Sequence, residues 1–317
     1  MNEVILEDRG CPLGCKRDDE LILTGTDRLN NLPGTFSVVR CRNCGLMRTN
    51  PRPDPQSMAY YYPEDYGPYV GTKVRCKDRV SSTFLKPRLK KVARKIFDFK
   101  TTSLPPLRPG RLLEIGCASG AFLHKMSQEG WQVEGIEFSK SAAREAAKLG
   151  YTVYAGQVES IKGPKGPFDL IVGWMVLEHL HEPVLALKRL RGWIKPEGWL
   201  VLSVPNAGSL EFRIFRDKWY ALQLPSHLFH FTPSTVEKLL NAGGWEMKKI
   251  HHQRTLTNTM ASLGYIMQDL KMEKIAQKFI HMPETSRMSN YILYPLALFL
   301  GFFGQTGRMT IWARPKS

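Results

Sequence analysis

Beyond Gly110 the chain alternates short apolar runs with segments of helical period. Arg111–Ile115, Gln132–Ile136, Thr152–Ala155, Asp169–Gly173 and Trp199–Val204 are compact, Leu/Ile/Val-rich runs, and they predict strands. Ala121–Gln128, Ser139–Lys148 and Pro183–Trp193 place apolar residues at helical spacing, and Gly130, Gly150 and Gly198 mark the handovers to the next strand. A further helix over Ser234–Ala242 leads through Gly243-Gly244 to a strand at Trp245–His251. Residues 254–290 read as largely helical, and Arg308–Ala313 as a last strand. The pattern predicts an α/β fold: a mostly parallel, seven-stranded sheet covered by helices on both faces.

Upstream the periodicity breaks down. Residues 1–55 are punctuated by cysteines and turn residues, with one β-like run at Phe36–Arg40, and they read as a small module closed by Asn50-Pro-Arg-Pro-Asp-Pro55. Residues 56–104 form an aromatic and then basic linker region. Its tyrosines cluster at 60, 61, 62, 66 and 69, and Phe84–Phe97 has the pattern of a basic amphipathic helix. Residues 105–317 hold the α/β domain, with insertions at 205–233 and 252–306.

Composition narrows the class without naming the partner. Hydrophobic residues make up 43% and charged residues 23%, ordinary for a water-soluble fold. A net charge of +16 favours anionic partners: nucleic acid, nucleotide-linked sugars or acidic lipid headgroups. The first ten residues include acids and no long apolar run, so no secretory signal and a cytoplasmic location are expected, with the six cysteines as thiols or metal ligands. Tyr291–Phe303 is the strongest apolar stretch. It is interrupted by Pro295 and falls short of the ~20 residues of a spanning helix.

The segment Leu112-Leu-Glu-Ile-Gly-Cys-Ala-Ser-Gly-Ala-Phe122 is a strand ending in an acid, then a small-residue turn opening a helix. Gly116 and Gly120 let the backbone approach a ligand closely. The spacing is not the G-x-G-x-x-G of dinucleotide sites, and Glu114 would repel a pyrophosphate while welcoming a cationic ligand. Glu137 ends the second strand, where a carboxylate accepts hydrogen bonds from ribose hydroxyls. A different Rossmann-like domain, with Glu114 and Glu137 as surface carboxylates, would also carry this pattern.

Together with Phe168-Asp-Leu-Ile-Val-Gly-Trp-Met-Val-Leu-Glu-His-Leu-His-Glu-Pro183, these segments resemble the successive motifs of class I S-adenosylmethionine-dependent methyltransferases. The branch they resemble contains the ubiquinone-type O-methyltransferases, and the resemblance covers roughly residues 105–250. It implies S-adenosylmethionine as methyl donor, with Glu114, Gly116, Cys117 and Gly120 along its amino-acid end. By the same resemblance Glu137 and Phe138 stand at the ribose, Gln157 and Val158 at adenine, and Trp174 at the pocket border. Gln157 departs from the family pattern, which often has Asp there.

Cys11-x-x-x-Cys15 and Cys41-x-x-Cys44 are two short-spaced pairs of the kind that brings four thiolates around a structural zinc, as in a zinc ribbon. The first pair has one residue more than the usual knuckle. Arg17, Arg40 and Arg42 are expected to offset the charge of the thiolates. The proline run and tyrosines also resemble a branch in which a four-cysteine knuckle precedes the methyltransferase core.

Acceptor chemistry should gather after the fourth and fifth strands. Glu178, His179 and His181 follow the fourth; Glu178 and His179 either act on a proton or only orient the local helix and cofactor wall. Leu224-Pro-Ser-His-Leu-Phe-His-Phe-Thr232 follows the fifth and resembles the segment that closes over the acceptor in this branch. His227 is the first candidate for a general base and His230 the second, against structural roles for both. Tyr291–Phe303 is apolar nearly all round, which points to burial in a lid, with contact to a membrane surface as the other reading. A small-molecule or glycan-type acceptor, anionic or lipid-linked, is the first choice. RNA or other nucleic acid is second, and a non-catalytic scaffold third.

Overall fold

The computed structural model describes residues 4–62, 97–99, 102–282 and 287–316, with the side chains of 287–289 left aside. Cys76 and the basic segment expected over 84–97 lie outside the described residues, except for Phe97. The N-terminal module contains β1 (Leu6–Glu7), β2 (Asp19–Thr26), β3 (Thr35–Cys41), β4 (Met47–Thr49) and β5 (Arg52–Pro53). β2, β3 and β4 form an antiparallel meander, while β1 pairs with β5.

The α/β domain follows in strict alternation: β6 (Arg111–Ile115), α1 (Ala121–Gln128), β7 (Gln132–Glu137), α2 (Lys140–Lys148) and β8 (Thr152–Ala155). Then come β9 (Phe168–Trp174), α3 (Pro183–Trp193) and β10 (Ile194–Pro205). The remaining elements are α4 (Leu210–Phe215), β11 (Phe229–His230), α5 (Pro233–Ala242), β12 (Trp245–His252), α6 (Thr257–Asp269), α7 (Glu273–Ile280), α8 (Arg287–Ile292), α9 (Tyr294–Phe302) and β13 (Arg308–Pro315). The sheet order is β12-β13-β10-β9-β6-β7-β8; only the pairings of β13 are antiparallel. Strand order reverses at β6 and β9, so a crevice opens beyond their C-terminal ends.

Alternation along each strand feeds two cores. Leu113, Ile115, Ile171, Leu200 and Leu202 pack on one face; Leu112, Leu170, Val172 and Val201 pack on the other with Leu123, Met126 and Ala146 from the covering helices. The first core continues without a break into the module through Phe36, Val38, Leu46 and Met47.

That continuity extends into residues 205–233. The segment after β10 is joined to the module: β11 pairs antiparallel with β4, setting Phe229 opposite Arg48 and His230 opposite Met47. Thr49 locks the seam, donating its hydroxyl to the His227 carbonyl at 2.7 Å while its amide meets the Leu228 carbonyl at 2.9 Å. Arg48, buried beside this seam, makes a bidentate pair with Asp19 at 2.8 and 2.6 Å. The seam completes the module's sheet with two residues from the other domain.

A correction concerns residues 290–304. Tyr294 and Ala297 are buried, but Leu296, Leu298, Phe299, Phe302 and Phe303 are exposed, so the favoured reading of this stretch as buried does not hold for most of its side chains. Among the described residues, Tyr294 of α9 and Tyr291 of α8 pack against the rings of Phe97 and Phe99.

Removing Arg48 leaves Asp19 without its partner at a largely buried position. Arg48→Ala should cost about 3 kcal/mol, read as a lower urea midpoint at unchanged slope; a midpoint equal to that of the parent protein would show that the pair does not hold the module.

Candidate functional site

The turn from β6 into α1 is built from backbone rather than side chains. The amide of Gly116 donates to the Ile136 carbonyl at 2.8 Å, and that of Gly120 to the Cys117 carbonyl at 2.9 Å. Gly116 has φ +66°, and a Cβ there would stand 2.4 Å from Val176 Cγ2; Gly120 has φ +85° and its Cβ would lie 3.0 Å from Ala146. Both therefore need glycine, for conformation and for space. Ala118 holds φ +46°, and its amide donates to Glu137 Oε2 at 2.8 Å. Glu137 Oε1 accepts from the Ser139 amide at 2.8 Å, and the Ser139 hydroxyl caps α2. The β7 carboxylate thus ties the glycine turn to the second helix.

Glu114 and Glu137 are both buried, so neither is a surface carboxylate. Burial, then the charge of Glu137, pushes Glu114 well above the usual carboxylate range. Burial also raises Glu137, against the pull of the Ser139, Ala118 and Phe138 backbone groups. Glu114 Oε2 has no hydrogen-bond partner among the described residues. Trp174, at the end of β9, sets its ring edge-to-face with Phe122 at 5.2 Å, and its buried Nε1 is likewise unpartnered. Two neutral-leaning acids beside a bare backbone turn suit a cation, which would favour their ionised forms.

Further round the crevice, Phe138 is exposed beside Glu137, and the Gly156 amide donates to the Glu137 carbonyl at 2.8 Å. That bond brings Gln157 and the buried Val158 alongside the end of β7. Cys117 differs from the expected lining residue. Its thiol is buried in the helix–sheet core, where burial pushes it far up, and a Cβ on Gly135 would meet its Sγ at 2.6 Å. Only its backbone faces the turn.

After β9, Met175 takes φ +56° with its amide donating to the Ser203 carbonyl at 2.8 Å, a strained link between the fourth and fifth strands. Glu178, His179 and His227 then converge, with ligand atoms all within 4.8 Å of one another. Glu178 is fully buried, neither of its oxygens has a partner among the described residues, and burial pushes it up to about 8. His179 Nδ1 lies 2.9 Å from the Ser226 carbonyl and 2.7 Å from the Tyr62 hydroxyl. A carbonyl only accepts, so Nδ1 carries the proton and Nε2 the lone pair. The same reasoning applies to His227, whose Nδ1 lies 2.9 Å from the Ala221 carbonyl. The two rings meet edge-to-face at 4.6 Å. Burial holds His179 down to about 4, and burial with the neighbouring His179 and His230 keeps His227 well below its ordinary value.

The histidines differ in burial and partners. His227 is only 1% exposed, whereas His179 and Tyr62 are half-buried and reach the surface. His230 belongs to the seam instead, its Nε2 3.2 Å from the Thr49 hydroxyl and its ring held down to about 3 by burial. His181 turns to the module, 3.2 Å from the Pro53 carbonyl. Sequence reading gave Tyr62 no role, since nothing in a run of tyrosines says which one meets a histidine over a hundred residues away.

In the module, Cys11, Cys15, Cys41 and Cys44 bring their sulfurs within 4.8 Å of one another, with Cys11 and Cys44 at 3.5 Å. A tetrahedron with Zn–S bonds of ~2.3 Å requires sulfurs roughly 3.8 Å apart, so the donor set fits zinc. Gly14 and Gly45, both at positive φ, turn the two knuckles; the extra residue of the first is absorbed by a Gly14 amide bond to the Cys11 carbonyl at 3.0 Å. Burial pushes the Cys11, Cys15 and Cys44 thiols up, while backbone groups at Leu13 and Leu46 pull against it; for Cys41 the groups at Cys44 and Asn43 outweigh burial and hold the thiol down. The expected arginines are spent elsewhere: Arg17 pairs with Asp8, Arg40 with Glu20 and Arg42 with Asp18. Nearer the cluster, Lys238 of α5 donates to the Cys44 carbonyl at 2.8 Å.

A seven-stranded sheet of this order, with a glycine turn after its first central strand and an acid ending the second, defines the class I methyltransferase architecture. A family model described as a methyltransferase domain matches residues 88–250, and the chain belongs to that family of S-adenosylmethionine-dependent methyltransferases. It is 27% identical over 156 residues to the ubiquinone biosynthesis O-methyltransferase of Maricaulis maris, covering 45% of this chain and 61% of that protein. It is 32% identical over 124 residues to the protein of the same name from Bradyrhizobium diazoefficiens, covering 37% of this chain and 49% of the relative. The chain thus spans roughly half to two thirds of the length of these relatives. Among solved structures, an S-adenosylmethionine-dependent methyltransferase from Mesorhizobium loti aligns with a TM-score of 0.44 at 16% identity, over 67% of this chain and 93% of that one.

A methyl group added at Gly116 must displace Val176 and strain a left-handed residue. Gly116→Ala should lower stability by about 1–3 kcal/mol and weaken S-adenosylhomocysteine binding, and Val176→Ala in the same chain should recover part of both; calorimetry showing parent affinity in the single variant would mean the turn does not meet the ligand.

Proposed function

We propose that the protein transfers the methyl group of S-adenosylmethionine to an oxygen of a small-molecule or glycan-type acceptor. The observation that carries the reading is the buried pair Glu114 and Glu137 beside the glycine turn, with Glu114 Oε2 and Trp174 Nε1 free to meet a ligand. When bound, the donor supplies an electrophilic methyl on a sulfonium. Glu114 and the backbone of Gly116, Cys117 and Gly120 would hold its amino-acid end. Glu137 and Phe138 would take the ribose, Gln157 and Val158 the adenine edge, and Trp174 would border the methyl. Choice of oxygen over nitrogen or carbon is supported by the O-methyltransferase names of the relatives.

In-line displacement depends mostly on positioning, with a base needed for the acceptor hydroxyl. His179 fits that role better than His227. It is the less buried residue, its Nδ1 proton is held by the Ser226 carbonyl, and Nε2 keeps the lone pair. His227 and Glu178 back it, and Tyr62 orients it from the module side. Because burial holds His179 near 4, it stays unprotonated well below neutrality.

The pH dependence follows. Turnover should hold steady from pH 8 down through 6.5 and fall only as pH approaches His179's value of about 4. A limb at 6.5 that disappears in His179→Gln would instead show a solvated base. His179→Ala should lower kcat by ~100-fold or more with donor affinity retained; unchanged kcat removes it from proton transfer.

The four cysteines are assigned to a structural zinc with no open position. The metal would cross-link the two knuckles and hold the β3–β4 turn against α5. Purified protein should release about one zinc per chain to a chromogenic chelator after thiol modification. Cys44→Ser should abolish that release and lower the thermal midpoint, while parent-like stability without metal would sink the assignment.

A further inference from the structure

Helix α9 is the feature that the methyl-transfer reading leaves unused. Its sequence, Tyr-Pro-Leu-Ala-Leu-Phe-Leu-Gly-Phe, offers no polar group beyond the Tyr294 hydroxyl, and no charged residue occurs from Asn290 to Gly307. A helix apolar on all sides belongs inside a core or a lipid phase. Among the described residues the edge bearing Tyr294 and Ala297 is covered, with Leu300 and Gly301 partly so; Tyr294 packs against Phe97 and Phe99 with ring centroids 5.1 Å away in each case. Leu296 and Phe299 stand three residues apart on α9 and Phe303 follows four further on at its C-cap, forming an exposed ridge that Ile292 at the end of α8 extends. Leu298 and Phe302 widen it, and Phe302 is 84% exposed. A continuous patch of six large apolar side chains is more than a monomer usually leaves to water.

We propose that α9 seats the protein on an anionic bilayer by entering its interfacial layer. The shape of the apolar surface favours lipid over a protein groove. A groove covers one stripe of a helix, whereas acyl chains surround every side, and here most of the circumference is apolar and uncovered.

Charge points the same way. Arg254 lies at the base of the helix, its Cγ 3.5 Å from where a Gly301 Cβ would sit. Just beyond the helix the Arg213 guanidinium hydrogen-bonds the Gln305 side chain, beside the exposed Ile214. Arg254 is paired with Asp98 at 3.8 Å, so Arg213 and the net charge of +16 supply the attraction for anionic headgroups.

The helix lies in the interface and does not span. No helix among the described residues is long and apolar enough to cross a membrane. Its nine residues rise about 14 Å, less than half of a ~30 Å hydrocarbon core. The proposal does not depend on which acceptor is methylated, nor on whether one is.

The test uses the full chain and vesicles of phosphatidylcholine, alone or mixed with phosphatidylglycerol. The protein should sediment with the mixed vesicles at low salt, less so with phosphatidylcholine alone, and less so as salt rises. A variant carrying Phe299→Asp and Phe302→Asp should lose about tenfold or more of this binding with an unchanged thermal midpoint, because both side chains already face solvent. Protein that stays in the supernatant with mixed vesicles at low salt overturns the proposal, as does a double variant that sediments like the parent. A lipid-free dimer that the double variant turns into a monomer would assign the ridge to a second copy and also overturn it.

Discussion

Two carboxylates buried at the ends of neighbouring parallel strands set the terms for the rest of the site. Glu114 stands one residue before the end of β6 and Glu137 closes β7, and removal from water raises both against ionisation. The glycine turn lies between them because the Ala118 amide needs an acceptor and Glu137 supplies it. Without a cation, one of the pair is held towards its neutral form. A ligand bearing positive charge would relieve that burial, while a diphosphate would aggravate it. Strand order produces this meeting: the reversal at β6 and β9 leaves open the end of the sheet where both acids sit.

The module is part of the same construction. Its strands share a core with β6, β9 and β10, and β11 is lent to its sheet from the far side of the chain. The loop that carries His227 is therefore fixed from two directions, by the Thr49 hydroxyl on the module and by the Glu178 carbonyl on the domain. A metal at the four cysteines would stiffen β3 and β4, and through Thr49 and Tyr62 that stiffness reaches both histidines. On the assignments proposed above, a structural metal there would bear on the placement of His179 and His227 without taking part in the chemistry.

Much of this was legible in the sequence where periodicity was long enough to count. The strands from Arg111 to Val204 and their helices follow from alternating pattern, and the turn at Gly116–Gly120 from its small residues. What was hidden depends on contacts between distant segments. A two-residue strand such as β11 has no period, so the place of His230 in the seam could not be read. Arg17, Arg40 and Arg42 lie close in sequence to the cysteines, but nearby carboxylates compete for them and win. Apolarity at Leu296, Phe299 and Phe302 reports a preference for leaving water, not the presence of a neighbour that allows it.

The central claim is electrostatic, and proton counting reaches it most directly. S-adenosylmethionine binding should be titrated calorimetrically near pH 7 in buffers of different ionisation enthalpy. If Glu114 is held neutral in the free protein and ionises beside the donor's ammonium group, the apparent binding enthalpy will change linearly with buffer enthalpy, with proton release of up to about one per site. Glu114→Gln should abolish that release. Binding with no buffer dependence, or preferential binding of NADH over the methyl donor, would contradict the account.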